Sequence, residues 1–368
     1  MSGQGSKAWE ARTPELIALL TDSCLQLRSL EHWTPWSTEF CIPKALSASL
    51  GHLSQLTSLE LGLGWAATTV EVVGMLQGLP SLLHLGLVCH PLGAVKITNT
   101  ILRGHALERL TIWDPNMRDL ALVPGELSSL TRLALHAQHL RSLPGTISLL
   151  TGLREIDLAD NDWCSLPAGL AACTNLTSLA MGYGSGMSVL TKLDSLRSLS
   201  FRHVIITYSA QEKWTPLVGL TQFSMRVRFG AECPDITGMP CLRKLILSNC
   251  RVYDLPSGTY LSRLTSLRMF DCIFESGVPA ALTNASQLRV LHLLGSNLEI
   301  GIKLSDSDLK ILTSLPALEI LVLKKPYERG EEGWDDRVAL LMRQYTALGY
   351  AQPKLLSDPE FETRPADW

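Results

Sequence analysis

One arrangement of apolar positions recurs along most of this chain. A leucine is followed by two variable residues, an apolar residue, one more variable residue and a second apolar residue. It occurs as Leu56-Leu59-Leu61, Leu82-Leu85-Leu87, Leu107-Leu110-Ile112, Leu130-Leu133-Leu135, Leu153-Ile156-Leu158 and Leu176-Leu179-Met181. It continues as Leu196-Leu199-Phe201, Leu220-Phe223-Met225, Leu242-Leu245-Leu247, Leu267-Phe270-Cys272, Leu288-Leu291-Leu293 and Leu318-Leu321-Leu323. Leu27 with Leu30 forms a weaker earlier copy. Apolar residues two apart put one face of a short strand inward. A strand that short cannot bury its face alone, so the copies must stack on one another. The twelve strands, about 4.8 Å apart, predict a curved parallel sheet on the order of 55 Å along its arc.

The second half of each copy must carry the chain back. Leu143-Pro144, Leu166-Pro167, Leu255-Pro256 and Val278-Pro279 each precede further apolar residues. Proline there predicts the start of a compact return segment of turns or short helix.

This pattern resembles the leucine-rich-repeat family, with its consensus LxxLxLxxNxL. The copies between residues 130 and 180, with LP before the return and LT before the strand, are similar to the intracellular plant and algal Ras-group-related type. The resemblance implies an α/β solenoid, a curved horseshoe with a parallel sheet on its concave face and turns or short helices on its convex face. The family's inward asparagine, which bonds backbone along the turns, fits only at Asn161. The matching positions of other copies hold Gly64, His90, Pro115, Gln138, Cys250 or, in the frame above, Glu275. Cys250 matches the family's cysteine-bearing variant.

Flanking segments read as caps for the exposed ends of such a stack. Residues 1–26 begin a helix at Thr13-Pro14-Glu15, with Leu16, Leu19 and Leu20 on one side. The repeats occupy 27–326. Residues 327–368 hold a charged linker, a helix with Val338, Leu341, Met342, Tyr345 and Leu348 on one face and Gly349 as its stop, and an extended tail. That helix could cap the stack or dock a partner.

Composition narrows the function. Leucine supplies 70 of 368 residues, 46% of the chain is hydrophobic and 18% charged, enough for a large core. The net charge of −3 argues against a nucleic-acid binder. No apolar run is long enough to span a bilayer, and no export signal is evident. The nine cysteines, odd in number and evenly spread, read as reduced thiols of an intracellular, most simply cytoplasmic, protein.

Motifs for catalysis are missing: there is no phosphate loop, HExxH, GxSxG or CxxC. Gly182-Tyr183-Gly184-Ser185-Gly186 follows a repeat strand and opens no helix, so it reads as a loose turn. Cys233 and Cys241 have no histidine at a ligand spacing. No enzyme activity, cofactor, metal or small-molecule substrate is expected.

Function then falls to the residues between the leucines, which point outward over the concave sheet. Arg202, Arg226 and Lys244 form a basic stripe among Ser198, Ser200, Ser224 and Ser248, with Arg228 close by. Such a stripe suits an acidic protein segment. Farther along, Ile246, Met269, Ile273, Val290, Leu294, Ile320 and Val322 predict an outward apolar strip needing a cover, either a partner or the C-terminal helix. Trp113 beside Arg109 is a candidate aromatic anchor, and His84, His136 and His292 read as solvated imidazoles. The expected function is a non-catalytic scaffold or adaptor in signalling or cytoskeletal (including ciliary) assembly, binding a protein on the concave face. A ubiquitin-ligase substrate receptor and the sensor part of an immune-type receptor are the alternatives.

Overall fold

The computed structural model describes residues 26–32, 52–63, 67–93, 95–97, 99–118, 127–137, 139–163, 165–183, 187–204, 217–227, 232–295, 304–323 and 333–356. The predicted N-terminal helix, residues 184–186 of the glycine-rich turn, Arg228, the linker 324–332 and the end of the tail lie outside them. The chain forms two compact units, Met1–Ser195 and Leu196–Trp368.

Unit 1 carries parallel strands β1 (Ser29–His32), β2 (Ser58–Leu63), β3 (His84–Cys89), β4 (Arg109–Trp113), β5 (Arg132–His136), β6 (Glu155–Trp163) and β7 (Ser178–Tyr183), paired in sequence order. Unit 2 carries β8 (Ser198–Val204), β9 (Gln222–Val227), β10 (Lys244–Ser248), β11 (Arg251–Val252), β12 (Ser266–Phe274), β13 (Val290–Gly295), β14 (Ile320–Leu323) and β15 (Lys354–Leu356). These also pair in order, except that β11 is a side branch on β12. Consecutive parallel strands with a compact return between them are what the repeat demands, since a parallel pair cannot be joined by a tight hairpin.

The registers align leucine with leucine. Leu59 faces Leu85, Leu85 faces Leu110 and Leu110 faces Leu133 in unit 1, while Phe223, Leu245, Leu267, Leu291 and Leu321 align in unit 2. These side chains are buried almost completely, and burying each contributes roughly 1.5–3 kcal/mol.

One copy sits in a different frame from the one its leucines suggested. Leu267 pairs with Leu245, so the repeat runs Leu264-Leu267-Met269 and not Leu267-Phe270-Cys272. Met269 is therefore an inward core residue with 0% exposure and not part of an outward strip. Phe270 moves to the outer face, opposite Ser248. Val322 and His292, also expected outside, are buried.

The frame is set by threonine. In the pairs Leu56-Thr57, Leu130-Thr131, Leu176-Thr177, Leu220-Thr221 and Leu264-Thr265, the threonine hydroxyl donates to one carbonyl of the preceding repeat, at 2.9 to 3.1 Å. The same carbonyl accepts the threonine N–H and the next residue's N–H, as Arg243 O does from Thr265 and Ser266. Three donors on one acceptor fix where each strand begins.

Farther along the repeat, Asn161 has the predicted inward role. Its Nδ2 donates to Leu135 O (2.7 Å) and Leu158 O (3.0 Å), and its Oδ1 accepts from Ala137 N (3.2 Å). The corrected frame puts Cys272, not Glu275, at the equivalent position of its copy. Its thiol reaches Leu247 O (3.7 Å) and Phe270 O (3.4 Å), so a buried sulfur takes the asparagine's place.

Return segments are short. Pro144, Pro167 and Pro279 each precede a 3-10 turn, at 145–149, 168–172 and 280–284. Helix α1 (Thr69–Gln77) starts with a capping box between Thr68 and Glu71. Helix α2 (Asn99–Leu102) is a single turn. Helix α3 (Asp306–Thr313) starts with Ser305 and Asp308, and the Asp308 carboxylate also accepts from Val278 N at 2.8 Å. Helix α4 (Trp334–Ala347) lies between two glycines of positive φ, Gly333 and Gly349. Its buried Leu341 and Tyr345 face α3, where the Tyr345 hydroxyl donates to Leu312 O at 2.6 Å, and Arg337 pairs with Asp306. β15 pairs with β14, placing Leu355 beside Leu321.

Two substitutions test this frame. Met269→Ala should destabilise unit 2 by roughly 2–5 kcal/mol, whereas Phe270→Ala should cost less than about 1.5 kcal/mol. Thermal and urea unfolding of both variants would show that order. Asn161→Ala should cost unit 1 about 1–3 kcal/mol by leaving the Ala137 N–H and two carbonyls unpaired, read by the same unfolding measurement.

Candidate functional site

Alternation along the strands leaves three outward positions per repeat, and in each unit they line up into columns. In unit 1 the first column runs Ser58, His84, Arg109, Arg132 and Glu155. Arg132 pairs with Glu155 at 3.3 Å, and His84 lies 3.9 Å from Glu108, so this column is mixed in charge. Arg109 is exposed.

Trp113 and His136 occupy the last outward column of unit 1. Their rings stack with centroids 4.0 Å apart and planes at 27°. His136 Nδ1 lies 2.9 Å from Asp160 Oδ2, where a proton on the nitrogen would bridge the two groups. Trp113 is thus outward as predicted, but half-buried against a neighbouring ring and not free-standing. His136, expected to be solvated, is held between ring and carboxylate.

Unit 2 differs in kind. Its outward positions are Ser198, Ser200 and Arg202 on β8, Gln222, Ser224 and Arg226 on β9, and Lys244, Ile246 and Ser248 on β10. They continue as Ser266, Arg268 and Phe270 on β12, Val290, His292 and Leu294 on β13, and Ile320 and Val322 on β14. None is Asp or Glu, although the chain as a whole is net negative. The carboxylate of β12, Asp271, is exposed at the bulge after Met269. Arg289, on the return side, is already paired with Glu319 at 3.3 Å, and Arg251 with Glu275 at 3.2 Å.

Of the predicted basic stripe, Arg202 and Arg226 follow the paired Phe201 and Met225, whereas Lys244 lines up with Gln222 at the other end of β9 and leaves the stripe. Arg202 and Arg226 are half-buried at the ends of β8 and β9, and Lys244 is exposed at the start of β10. Arg228 lies outside the described residues. Arg268, which sequence reasoning missed, adds a fourth cation on β12, opposite Ile246. The frame error hid it: with the repeat begun at the Leu264-Thr265 pair, both Arg268 and Phe270 fall on outward positions.

Two polar atoms at the centre of this face lack partners among the described residues. Ser248 is 3% exposed, and its hydroxyl makes no hydrogen bond. The Nε of Arg268 is buried and likewise unpaired. Next to Arg268, burial and then the guanidinium charge push the His292 imidazole down to about 4, so it is neutral at neutral pH and adds no charge to the face. Phe270 meets His292 edge-on, with centroids 6.2 Å apart.

The apolar strip is smaller than predicted. Ile246, Val290, Leu294 and Ile320 are outward and half-buried, while Met269 leaves the strip for the interior and Val322 is buried at its outward position. Ile273 is half-buried beyond the β12 bulge, paired with Arg251 of β11. Helix α4 packs on α3 and does not supply the cover that the strip was expected to need.

Elsewhere, buried thiols are unreactive. Burial pushes Cys89 up to about 12 and Cys173 up to about 11, and a hydrogen bond with Cys272, followed by burial, pushes the Cys250 thiol far above its ordinary value. Among the described residues no cluster of three or more His, Cys, Asp or Glu could hold a metal, and no helix is long and apolar enough to cross a membrane.

No family model matches this sequence, and no curated protein matches it at a significant level. Solved structures do resemble it. An internalin from Listeria monocytogenes, 17% identical, aligns over 96% of this chain and 94% of its own with a TM-score of 0.54. A leucine-rich-repeat protein of Leptospira interrogans, 16% identical, aligns over 94% and 98% with a TM-score of 0.47. A TLR13–ssRNA13 complex, 19% identical, aligns over 81% of this chain at a TM-score of 0.46, and the chain spans only 55% of that receptor chain. The internalin likeness is one of fold. With the repeat spacing, the in-order parallel strands and that likeness in agreement, the chain has the leucine-rich-repeat fold.

Proposed function

We propose that this chain is a non-catalytic interaction module that holds an acidic segment of a protein partner on the outward strand face of unit 2. The observation that carries the reading is the run of cations on β8, β9, β10 and β12 with no carboxylate at any outward strand position. Arg202, Arg226, Lys244 and Arg268 donate charge-assisted bonds, and the small serines between them leave room for a peptide to lie close. Beside them Ile246, Val290, Leu294 and Ile320 offer apolar contact, giving the mixture of anchor and charge found in protein interfaces. Trp113 with Arg109 is a further contact point on unit 1. An intracellular role as scaffold or adaptor fits the six free cysteines among the described residues.

The test is affinity purification from a lysate of the source cells, comparing the native protein with the Arg202→Glu/Arg226→Glu/Lys244→Glu variant, both checked for folding by circular dichroism. Partners with acidic segments should be recovered with the native protein, lost with the variant and released by salt. Recovery of the same partners by both proteins would contradict the reading.

A further inference from the structure

Unit 2 brings more hydrogen-bond donors onto one stretch of its outward face than a carboxylate can use. Ser248 sits between Arg226 on β9 and Phe270 on β12, and Arg268 stands one step earlier on β12. With strands about 4.8 Å apart and two residues advancing roughly 6.6 Å, Arg226 and Arg268 start about 12 Å apart, with Ser248 between them. The Ser248 hydroxyl is buried yet unpaired among the described residues, and so is Arg268 Nε. A buried donor without an acceptor is costly, and the two residues stand on paired strands of the same outward face.

We propose that Arg226, Ser248 and Arg268 form a docking site for the phosphate of a phosphorylated serine or threonine in a peptide lying along this face. The proposal rests on the acidic-segment reading and sharpens it. A phosphate carries close to two charges and three acceptor oxygens, matching two guanidinium groups and one hydroxyl, where a carboxylate would leave donors unused. His292, held neutral, adds no charge beside Arg268. Lys244, exposed at the start of β10, extends the positive field toward acidic neighbours of the phosphorylated residue. A polynucleotide fits less well. Among the described residues the outward columns of unit 2 hold only Phe270 and the buried His292 as rings, where strand binding needs successive stacking platforms, and the chain is net negative.

The experiment is fluorescence anisotropy on the full chain with three labelled peptide libraries, random at five positions on each side of a fixed phosphoserine, glutamate or serine. A single-stranded oligouridine serves as a fourth probe. The phosphoserine library should bind about tenfold or more tightly than the glutamate library, and that preference should fall to about one in Ser248→Ala and Arg268→Gln, whose melting temperatures confirm folding. Equal binding of phosphoserine and glutamate libraries would overturn the phosphate site while leaving the acidic-segment reading standing. Failure of both to bind above the serine library would overturn both. Oligouridine binding as tightly as phosphoserine would overturn the peptide assignment.

Discussion

Each repeat hangs on one carbonyl, that of the residue after the repeat's first leucine. It accepts the first two N–H groups of the next strand and, in five copies, a threonine hydroxyl as well. Because side chains alternate with a period of two, a slip of one or three residues at this point would exchange core for surface along the strand. The acceptor therefore decides which residues are buried and which are left as a wall. The leucines supply most of the free energy, but they do not by themselves choose the frame.

That distinction explains what could be read from the sequence and what could not. The parallel strands, their order and most of the core follow from the spacing of the leucines, and Asn161 followed from a single residue type at a fixed offset. The copy around residue 267 was misread because Leu261, Leu264 and Leu267 are three apart, so apolar pattern alone allows two frames. The Thr265 hydroxyl resolves them, and its signal was present as the LT pair. Met269 and Phe270 then change places, and Arg268 enters the outward face. Burial of Val322 and His292 has no comparable local signal, because it depends on what lies beside them on neighbouring strands. The ring stack between Trp113 and His136 was similarly hidden, since it joins residues 23 apart through strand register.

The two units put one scaffold to different chemical use. In unit 1 outward polar groups meet one another, Arg132 with Glu155 and the His136 ring with Asp160. In unit 2 the matched pairs lie off the outward columns, Arg251 with Glu275 and Arg289 with Glu319, and the columns themselves keep cations without carboxylates. Surface pairs of this sort add little to stability. Their placement matters more, because it leaves the described outward columns of unit 2 with half-buried guanidinium groups and no carboxylate, beside an apolar edge. Half-burial lowers the local dielectric and strengthens each bond that an incoming anion makes.

Hydroxyl-radical footprinting of the protein alone and with a bound phosphoserine peptide library tests the central claim most directly, because it reads frame and site together. The account predicts that Phe270 is oxidised in the free protein while Met269, though intrinsically more reactive, is spared, and that bound peptide then shields Phe270. Oxidation of Met269 with Phe270 spared, or a Phe270 signal unmoved by bound peptide, would contradict it.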